Sequence, residues 1–310
     1  MKEILYDENT KMPHGYPEVK KLGICSMSGE MTPFVWNGRL MRMELVDPSC
    51  GTNLSITRQA AICDVESGEF ISYFAPDIYF HAAYLEGDKI YVTGVDMNRR
   101  DTIRIYESTD LVNWEGRDLL TNPGWVYYNT GLTKGPDGYV LLMESSEPRE
   151  IIGEKFTHVF ATSPDMKEWT FLDPTKYSLT HERYQGGPWL RYSDGWYYAI
   201  AVEWLPLRVF TNSIFRSRDL ETWYASPYNP FLMPSNEDKL ISPHAKNITE
   251  ENLDRIKTAF NINNSDIDMC DWNGNVYINY GCGNQYNFYW MCEAVAENTT
   301  VAEFLKSFFE

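Results

Sequence analysis

The sequence predicts an all-β fold, a five-bladed β-propeller with a C-terminal helix, and two repeated patterns support that prediction. A segment that reads Ser, any residue, Asp, Leu or Met, two residues, Trp occurs at 108–114, 163–169 and 217–223. A second pattern, two apolar strands joined by a short turn that contains Gly, interleaves with the first. Radial repetition of four-stranded sheets explains this period of roughly 50 to 60 residues better than a sandwich or a jelly roll does.

Residues 1–24 are expected to form an N-terminal extension of a single domain that spans 1–310. No Pro- or Ser-rich linker divides the chain, which favours one domain. The first residues lack the apolar core of a secretory signal, and no apolar stretch is long enough to span a bilayer. We therefore expect a cytoplasmic protein as the sequence is written, or a periplasmic or secreted one if a signal was trimmed from it.

Five inner hairpins are predicted in order along the chain, at 32–45, 81–94, 130–144, 186–203 and 266–280. Four of them contain an Asn-Gly or Asp-Gly turn, a strong signal for a tight hairpin because both residues tolerate positive φ. These dipeptides are Asn37-Gly38, Asp137-Gly138, Asp194-Gly195 and Asn273-Gly274. Outer hairpins would be closed by the Ser-x-Asp turns, whose tryptophans, Trp114, Trp169 and Trp223, are expected to be buried between sheets.

Two segments show the periodicity of a helix that packs through an apolar face. Residues 248–260 place Leu253, Ile256 and Phe260 on one side. Residues 298–310 are predicted to form the C-terminal helix, with Thr300 and Glu303 in a capping box. Both helices are expected to pack against the sheets.

Charge and cysteine content exclude several classes of function. The formal net charge is −17 without any Lys/Arg-rich run, so nucleic acid is not an expected partner. Six cysteines in 310 residues, without a C-x-x-C spacing, predict free thiols that pack as small apolar groups. The sequence therefore predicts no metal and no cofactor.

A carboxylate-rich axial pocket is predicted, because the first strands of propeller blades converge on the axis. Alignment of the hairpins on their turn glycines places Thr32, His81, Thr130 and Asp268 at one depth, with Gly186–Gly187 in the fourth blade. The second strands would bring further carboxylates to the same end: Glu44, Asp96, Glu144 and Glu203. Asp266 and Asp268 share a face, since residues i and i+2 of a strand point the same way.

The Ser-x-Asp-Leu-x-x-Trp turns, the hairpins and "GGPWLRYSDGWYYAI" resemble five-bladed propeller glycosidases over about residues 25–295. The resemblance is chiefly to the arabinofuranosidase and xylosidase group of glycoside hydrolase family 43 and its relatives. It implies an Asp base just before a Pro in the first blade and a Glu acid in a Glu-Gly-Pro element of a later blade. Thr32 and Gly186 stand at those two positions here. The usual catalytic pair is thus not preserved, and its mechanism cannot be copied onto this chain.

Glycoside hydrolysis needs one carboxylic acid to protonate the leaving oxygen and one carboxylate to activate water or attack the sugar. We predict an aspartate of the fifth blade, Asp268 or Asp266, as the base and Glu144 or Glu203 as the acid. His81 is predicted as an alternative acid or a sugar ligand. Predicted substrate-binding residues are Thr32, Trp125, Asn129, Trp204, Asn284 and Gln285.

Structural roles for the same side chains stay open at this point. The two aspartates can form an Asx-type turn at a strand entrance, and the glutamates can be solvated or paired with arginine at the rim. His81 can instead line the channel or hold a water or an ion. The sequence does not decide between retention and inversion.

Three functions are compatible with this pattern. The predicted one is hydrolysis of a glycan or small glycoside by two carboxylates in the axial pocket. The loss of both family carboxylates favours an alternative, a catalytically inactive carbohydrate-binding propeller. A protein-interaction propeller is the third, although interaction surfaces more often carry exposed apolar anchors. A carbohydrate partner is expected, membrane binding is not, and the oligomeric state stays open.

Overall fold

The computed structural model describes residue 5 and residues 18–47, 58–153, 156–181, 183–206, 208–246, 248–285 and 288–310. Most of the predicted N-terminal extension, and also Cys50, lie outside the described residues. The described chain is mostly β-strand with a few short helices. No helix in these ranges is long and apolar enough to cross a bilayer.

Three antiparallel four-stranded sheets follow one another along the chain. The first contains β2 (Gly29–Trp36), β3 (Arg39–Val46), β4 (Gln59–Asp64) and β5 (Phe70–Phe74). The second contains β6 (Ile78–Glu86), β7 (Lys89–Asp96), β8 (Thr102–Ser108) and β9 (Glu115–Thr121). The third contains β10 (Val126–Gly135), β11 (Gly138–Glu147), β12 (Thr157–Ser163) and β13 (Thr170–Phe171).

The remaining strands form one eight-stranded sheet with two antiparallel halves. One half contains β14 (Gln185–Ser193), β15 (Trp196–Leu205), β16 (Val209–Ser217) and β17 (Tyr224–Ala225). The other contains β18 (Asn263–Trp272), β19 (Asn275–Gly283), β20 (Tyr289–Ala296) and the N-terminal strand β1 (Lys20–Ser26). Phe210 and Asn263 pair where the halves meet, in a parallel contact of β16 with β18. The N-terminal strand thus completes the sheet that the C-terminal strands begin.

The five predicted hairpins are all present, as β2–β3, β6–β7, β10–β11, β14–β15 and β18–β19. Their first strands pack side by side in chain order, and the last of them, β18, also packs against the first, β2. Separate apolar clusters fill the spaces between successive sheets. This arrangement brings the five first strands to one place in the molecule.

The Ser-x-Asp turns form as predicted at the ends of the outer hairpins. Ser217 Oγ accepts from the Leu220 amide at 2.9 Å, and Asp219 Oδ1 accepts from the Thr222 amide at 2.7 Å. Trp223 is 1% exposed and donates its indole N–H to the Leu220 carbonyl. Because the Ser and Asp side chains accept hydrogen bonds from amides of the same turn, the turn is stabilised locally.

The prediction that all three turn tryptophans are buried was wrong for Trp114 and Trp169, which are half-buried. Trp114 stacks on Phe74 with ring centroids 3.6 Å apart. It precedes β9, an edge strand whose residues are mostly exposed. One side of Trp114 is therefore partly exposed to solvent.

Four helical segments accompany the strands in the described ranges: α1 (Arg149–Ile152), a 3₁₀ turn (Asn236–Lys239), α2 (Glu250–Thr258) and α3 (Val301–Ser307). The predicted capping box of Thr300 and Glu303 begins α3, which buries Phe304 and Leu305 in the core. Helix α2 buries Ile256, but Phe260 is 76% exposed, against prediction. Helix α2 ends at Thr258, so Phe260 lies beyond its apolar face.

Candidate active site

Each of the five first strands contains a β-bulge, and the distances of the five bulges from their hairpin turns agree to within one residue. The pairing register shifts between Gly29 and Met31, Tyr79 and Ala82, Tyr127 and Thr130, Gly186 and Trp189, and Ser265 and Asp268. Four bulges place a residue at positive φ: Glu30, Phe80, Gly187 and Asp266. Bulges re-aim side chains, and they are frequent beside functional sites. In this chain they turn Glu30 and Asp266 toward a common cavity.

The cavity lies where the five bulges meet, and every first strand contributes to its lining. Its polar lining residues are Glu30, Thr32, His81, Asn129, Thr130, Asp266 and Asp268. The volume is about 30 Å³, which is room for about two water molecules. We call this the axial pocket. It brings together four of the predicted site residues that surround the axis, namely Asp266, Asp268, His81 and Thr32, with Asn129 beside them.

Asp268 is held on the wall of the axial pocket by donors from two other strands. Thr32 Oγ1 donates to Asp268 Oδ2 at 2.7 Å, and Trp189 Nε1 donates to Asp268 Oδ1 at 2.6 Å. Burial raises the pKa of Asp268 to about 6, although the Thr32 hydrogen bond and the charge of Arg191 oppose that increase. Near neutral pH this carboxyl group is therefore mostly ionised and held in a fixed orientation.

Glu144 and Asp266 are linked by the amide of Asn129. Asn129 Nδ2 lies 2.9 Å from Glu144 Oε2 and 3.4 Å from Asp266 Oδ1. The Gly187 amide also donates to Glu144 Oε2, at 3.0 Å. Burial raises the pKa of Glu144 to about 7, and the charge of Asp266 acts in the same direction. Burial likewise raises the pKa of Asp266. A proton can therefore reside on Glu144 near neutral pH.

Glu30 is a third carboxylate that lines the axial pocket, beside Asp266 and Asp268, and sequence reasoning missed it. Glu144 lies just behind this lining, in contact with Asn129 and Gly187. It has φ of 34°, and its Oε2 is buried without a hydrogen-bond partner among the described residues. Burial raises its pKa well above the usual range, and the charges of Asp266 and Glu144 add to the effect. The available signal was the sequence symmetry: Glu30 precedes Thr32 as Asp266 precedes Asp268.

His81 lines the axial pocket, but not at the register position that alignment on the turn glycines predicted. Gly87 is the first residue of its turn, whereas Gly38 is the second residue of the turn in the first hairpin. Ala82 therefore stands where Thr32 stands, and His81 is one residue earlier. The ring is 5% exposed, and burial lowers the pKa of His81 to about 4. The imidazole is neutral at physiological pH, which leaves it little capacity as a proton donor.

Thr32 and Gly186, the two positions at which the resemblance implies the family carboxylates, each lie beside a carboxylate from another hairpin. Thr32 contacts Asp268 of the fifth hairpin through the 2.7 Å hydrogen bond. A Cβ atom built on Gly186 would lie 3.3 Å from Glu144 Oε1 of the third hairpin. A carboxylate therefore lies close to each of these two positions.

Other predicted site residues do not join the axial pocket. Glu203 accepts from Ser213 at 2.7 Å and pairs with Arg183 at 2.7 Å, which is the rim pairing that stayed open as a structural role. Trp125 is 8% exposed and packs against Phe171 in the core. The structure thus gives Glu203 and Trp125 no contact with the other candidate catalytic groups.

The remaining candidates lie at strand ends outside the axial pocket. Trp204 is 52% exposed and stacks on Phe210, with their ring planes 6° apart. Asn284 Oδ1 accepts from the Phe288 amide at 3.2 Å. Gln285 donates to Asn263 Oδ1 at 2.8 Å. Their substrate-binding roles stay predictions.

The predicted rim carboxylates Glu44 and Asp96 are engaged by neighbouring arginines. Glu44 pairs with Arg42 at 2.5 Å, and both side chains are buried. Asp96 pairs with Arg99 at 2.9 Å. Neither carboxylate lines the axial pocket.

One group in the described chain has the residue types of a metal site: Asp238, Cys282 and Cys292, whose ligand atoms lie within 4.8 Å of one another. The Asp238 carboxylate is already saturated, since it accepts from Lys21 at 2.7 Å and from Tyr280 at 2.9 Å, among others. Its role is to join β1 to the C-terminal strands. The five described cysteines are free thiols, as predicted.

No protein-family model matches the sequence, and no curated protein matches it. Solved structures do match in fold. A structure titled "Glycoside hydrolase" has a TM-score of 0.60 at 13% identity over 94% of both chains. A thermostable family-43 glycoside hydrolase has a TM-score of 0.58 at 11% identity, over 88% of this chain and 89% of that one. The GH43 protein BlXynB from Bacillus licheniformis has a TM-score of 0.56 at 12% identity, over 89% of this chain and 54% of that one.

These structural neighbours are propeller glycosidases of families GH43 and GH32. At 10–13% identity they show a similarity of fold. The resemblance that the repeated turns and hairpins predicted is confirmed at that level.

Proposed function

We propose that the chain is a five-bladed propeller that hydrolyses a glycosidic bond in the axial pocket, with its carboxylates moved to other blades. The observation that carries the proposal is the placement of Asp268 against Thr32 and of Glu144 against Gly186. Both carboxylate positions of the resembled enzymes are thus supplied from elsewhere in the chain. The fold similarity to glycosidases supports the same reaction class.

In this proposal Glu144 is the general acid and Asp268 is the general base. A pKa of about 7 lets Glu144 carry a proton to the leaving oxygen at neutral pH. A pKa of about 6 leaves Asp268 ionised and able to accept a proton from water. Burial favours the protonated form of Glu144, and the charge of Asp266 adds to this effect because a nearby carboxylate disfavours a second ionised one.

The substrate would be a neutral glycoside. Asp268 lines the axial pocket and is mostly ionised near neutral pH, so an anionic glycan would be repelled. A cavity of about 30 Å³ holds the attacking water and a hydroxyl group, while the sugar ring would lie across the pocket mouth. Burial raises the pKa of Glu30 well above its usual range, and in its protonated form Glu30 would donate a hydrogen bond to a substrate hydroxyl.

The test is hydrolysis of a panel of aryl glycosides by the wild type and two variants. Asp268→Asn and Glu144→Gln should each lower turnover by about 10² to 10⁴-fold. The loss for Glu144→Gln should be smaller with an acidic phenol as leaving group, because such a group needs less protonation. Glu86→Gln is the control and should leave turnover unchanged, since Glu86 pairs with Lys134 at 2.6 Å and does not line the axial pocket.

A swap tests whether the place of the carboxylate or the strand that carries it matters. Asp268→Thr should lower turnover as Asp268→Asn does. Adding Thr32→Asp to that variant again places a carboxylate beside a hydroxyl group, but the carboxylate is now on β2 and the hydroxyl group on β18. Recovery of about 10-fold or more is expected, at the low end of the effect of a general base. No recovery in a folded double variant would contradict relocation.

The alternative of carbohydrate binding without catalysis is favoured by one observation. Both oxygens of Asp268 already accept hydrogen bonds, which limits access for a water molecule. Calorimetric binding of a sugar, together with no hydrolysis of any glycoside in the panel, would support this alternative and refute the proposed activity.

A further inference from the structure

A second cavity lies on the same strands as the axial pocket, nearer to their hairpin turns. The axial pocket is lined by Thr32, Gly187 and Asp268, and the second cavity by residues that follow them on the same strands. These later residues include Val35, Arg191 and Asp271. Thr32 lines both cavities. We call the second one the distal cavity.

The distal cavity is large enough for a small organic molecule. Its volume is about 340 Å³, more than ten times that of the axial pocket. Small-molecule sites usually have volumes of about 300 to 1,000 Å³ and combine an apolar wall with a few polar groups. This cavity has such a division, since Val35 and Leu85 lie on the β2 and β6 side, and Arg191 and Asp271 on the β14 and β18 side.

Arg191 supplies a cation to this cavity. Its Nε is buried and has no hydrogen-bond partner among the described residues. The guanidinium carbon lies 5.5 Å from the centre of the Trp189 ring, which supports the side chain from one side. In a chain with a net charge of −17, a buried guanidinium N–H without an acceptor needs a specific explanation.

The carboxylates nearest to Arg191 are already engaged by other donors. Asp268 accepts from Thr32 and Trp189, and it interacts with Arg191 only through its charge. Asp271 Oδ1 accepts from the Val301 amide at 2.7 Å, at the start of α3. Neither carboxylate forms an ion pair with Arg191 in the described chain. The fork of the guanidinium is thus available to a carboxylate that comes from solution.

Asp271 also limits which anion can enter. The Asp271 carboxylate on the polar wall repels a ligand that carries more than one negative charge, such as a phosphate ester. It accepts hydrogen bonds from hydroxyl groups. A ligand with one carboxylate and several hydroxyl groups satisfies both residues, while its C–H face packs on Val35 and Leu85.

We propose that the distal cavity binds a monosaccharide-sized hydroxy acid, with the ligand carboxylate on Arg191 and a hydroxyl group on Asp271. The site is separate from the proposed catalytic groups and does not depend on the reaction proposed for them. Its ligand differs in charge from the neutral glycoside proposed for the axial pocket.

Calorimetric titration of the full chain with D-glucuronate tests the proposal, and the methyl ester of glucuronate serves as the uncharged comparison. Glucuronate should bind, and the ester should bind about 10- to 100-fold more weakly, as expected for the loss of a charged hydrogen-bonded pair. Arg191→Gln should weaken glucuronate binding by the same factor. Arg218→Gln is the matched control, because Arg218 is exposed beside Trp196, and it should leave the affinity unchanged.

Two further variants locate the bound probe. Ser193→Phe fills the distal cavity without changing charge and should abolish binding, which also covers the case that Arg191→Gln does not fold. Asp266→Asn alters only the axial pocket and should leave the affinity unchanged. The proposal is overturned if no binding of glucuronate is detected at concentrations up to about 20 mM. A dissociation constant above that concentration would be weaker than that of most specific sites. Equal affinity for the ester, or loss of binding in Asp266→Asn alone, would overturn it as well.

Discussion

The raised pKa of Glu144 makes a prediction about stability that does not require a known substrate. Its carboxylate is 3% exposed and lies beside Asp266. Burial raises the pKa from 4.5 to about 7. A carboxyl group with a higher pKa in the folded state binds more protons there, so stability decreases as pH rises from about 4.5 to about 7. Above pH 7 the folded protein carries the full cost of the ionised group.

The size of this cost follows from the pKa difference. Each pKa unit corresponds to about 1.4 kcal/mol, so ionised Glu144 destabilises the folded state by about 3 kcal/mol at pH 8. Glutamine has no charge and still offers an oxygen to Asn129 and to the Gly187 amide. Because its amide N–H groups also need acceptors, Glu144→Gln should raise the free energy of unfolding by about 1 to 3 kcal/mol at pH 8. At pH 5 the gain should be close to zero.

Urea unfolding followed by tryptophan fluorescence at pH 5 and pH 8 measures both values. Glu44→Gln is the control of opposite sign, because it leaves the buried Arg42 guanidinium without its partner. That variant should lose about 3 to 5 kcal/mol at both pH values. If Glu144→Gln is equally destabilising at pH 5 and pH 8, ionised Glu144 is not a cost to the fold, and its assignment as an acid at neutral pH loses its basis.

Three further outcomes are expected. Trp223→Ala should cost about 3 to 5 kcal/mol in urea unfolding, as for a fully buried tryptophan, and Trp114→Ala clearly less, because Trp114 is half-buried; equal losses would contradict this difference in packing. Gly187→Ala should lower the melting temperature, since the added Cβ would lie 2.7 Å from Val202 Cγ2 at a φ of 49°; an unchanged melting temperature would count against the bulge geometry. Once a substrate is known, kcat/KM should peak between pH 6 and pH 7, limited by Asp268 below and by Glu144 above, and a flat profile would refute their roles.

The hairpins and turns were predictable because their signals are local. Asn273-Gly274 fixes a two-residue turn through positive φ, and Asp219 with Ser217 satisfies the amides of its own turn. Neither signal depends on distant parts of the chain. The capping box of Thr300 and Glu303 is local in the same sense.

The bulges could not be predicted from this sequence, and they decide which side chains reach the axial pocket. A strand without a bulge would keep residues i and i+2 on one face, and counting from the turn would then locate every side chain. The extra residue at each bulge shifts that count, which is why Glu30 was missed. Trp125 shows another limit, because it precedes β10 and packs on Phe171 of β13, a contact between distant parts of the chain that local pattern does not encode.

The side-by-side packing of the first strands offers a physical route for the relocation of carboxylates that we propose. Thr32 and Asp268 occupy the same position after the bulge in the first and fifth hairpins, and their side-chain oxygens are 2.7 Å apart. A carboxylate lost at one position and gained at the other changes strands but remains in nearly the same place. Glu44 and Glu144 show that position alone is insufficient, since both lie opposite a bulge. Arg42 neutralises Glu44, whereas Glu144 has only amide donors in the described structure and keeps a raised pKa. In this fold the glutamate that we propose as an acid thus differs from the structural one in its partners, which are neutral amides for Glu144 and a cation for Glu44.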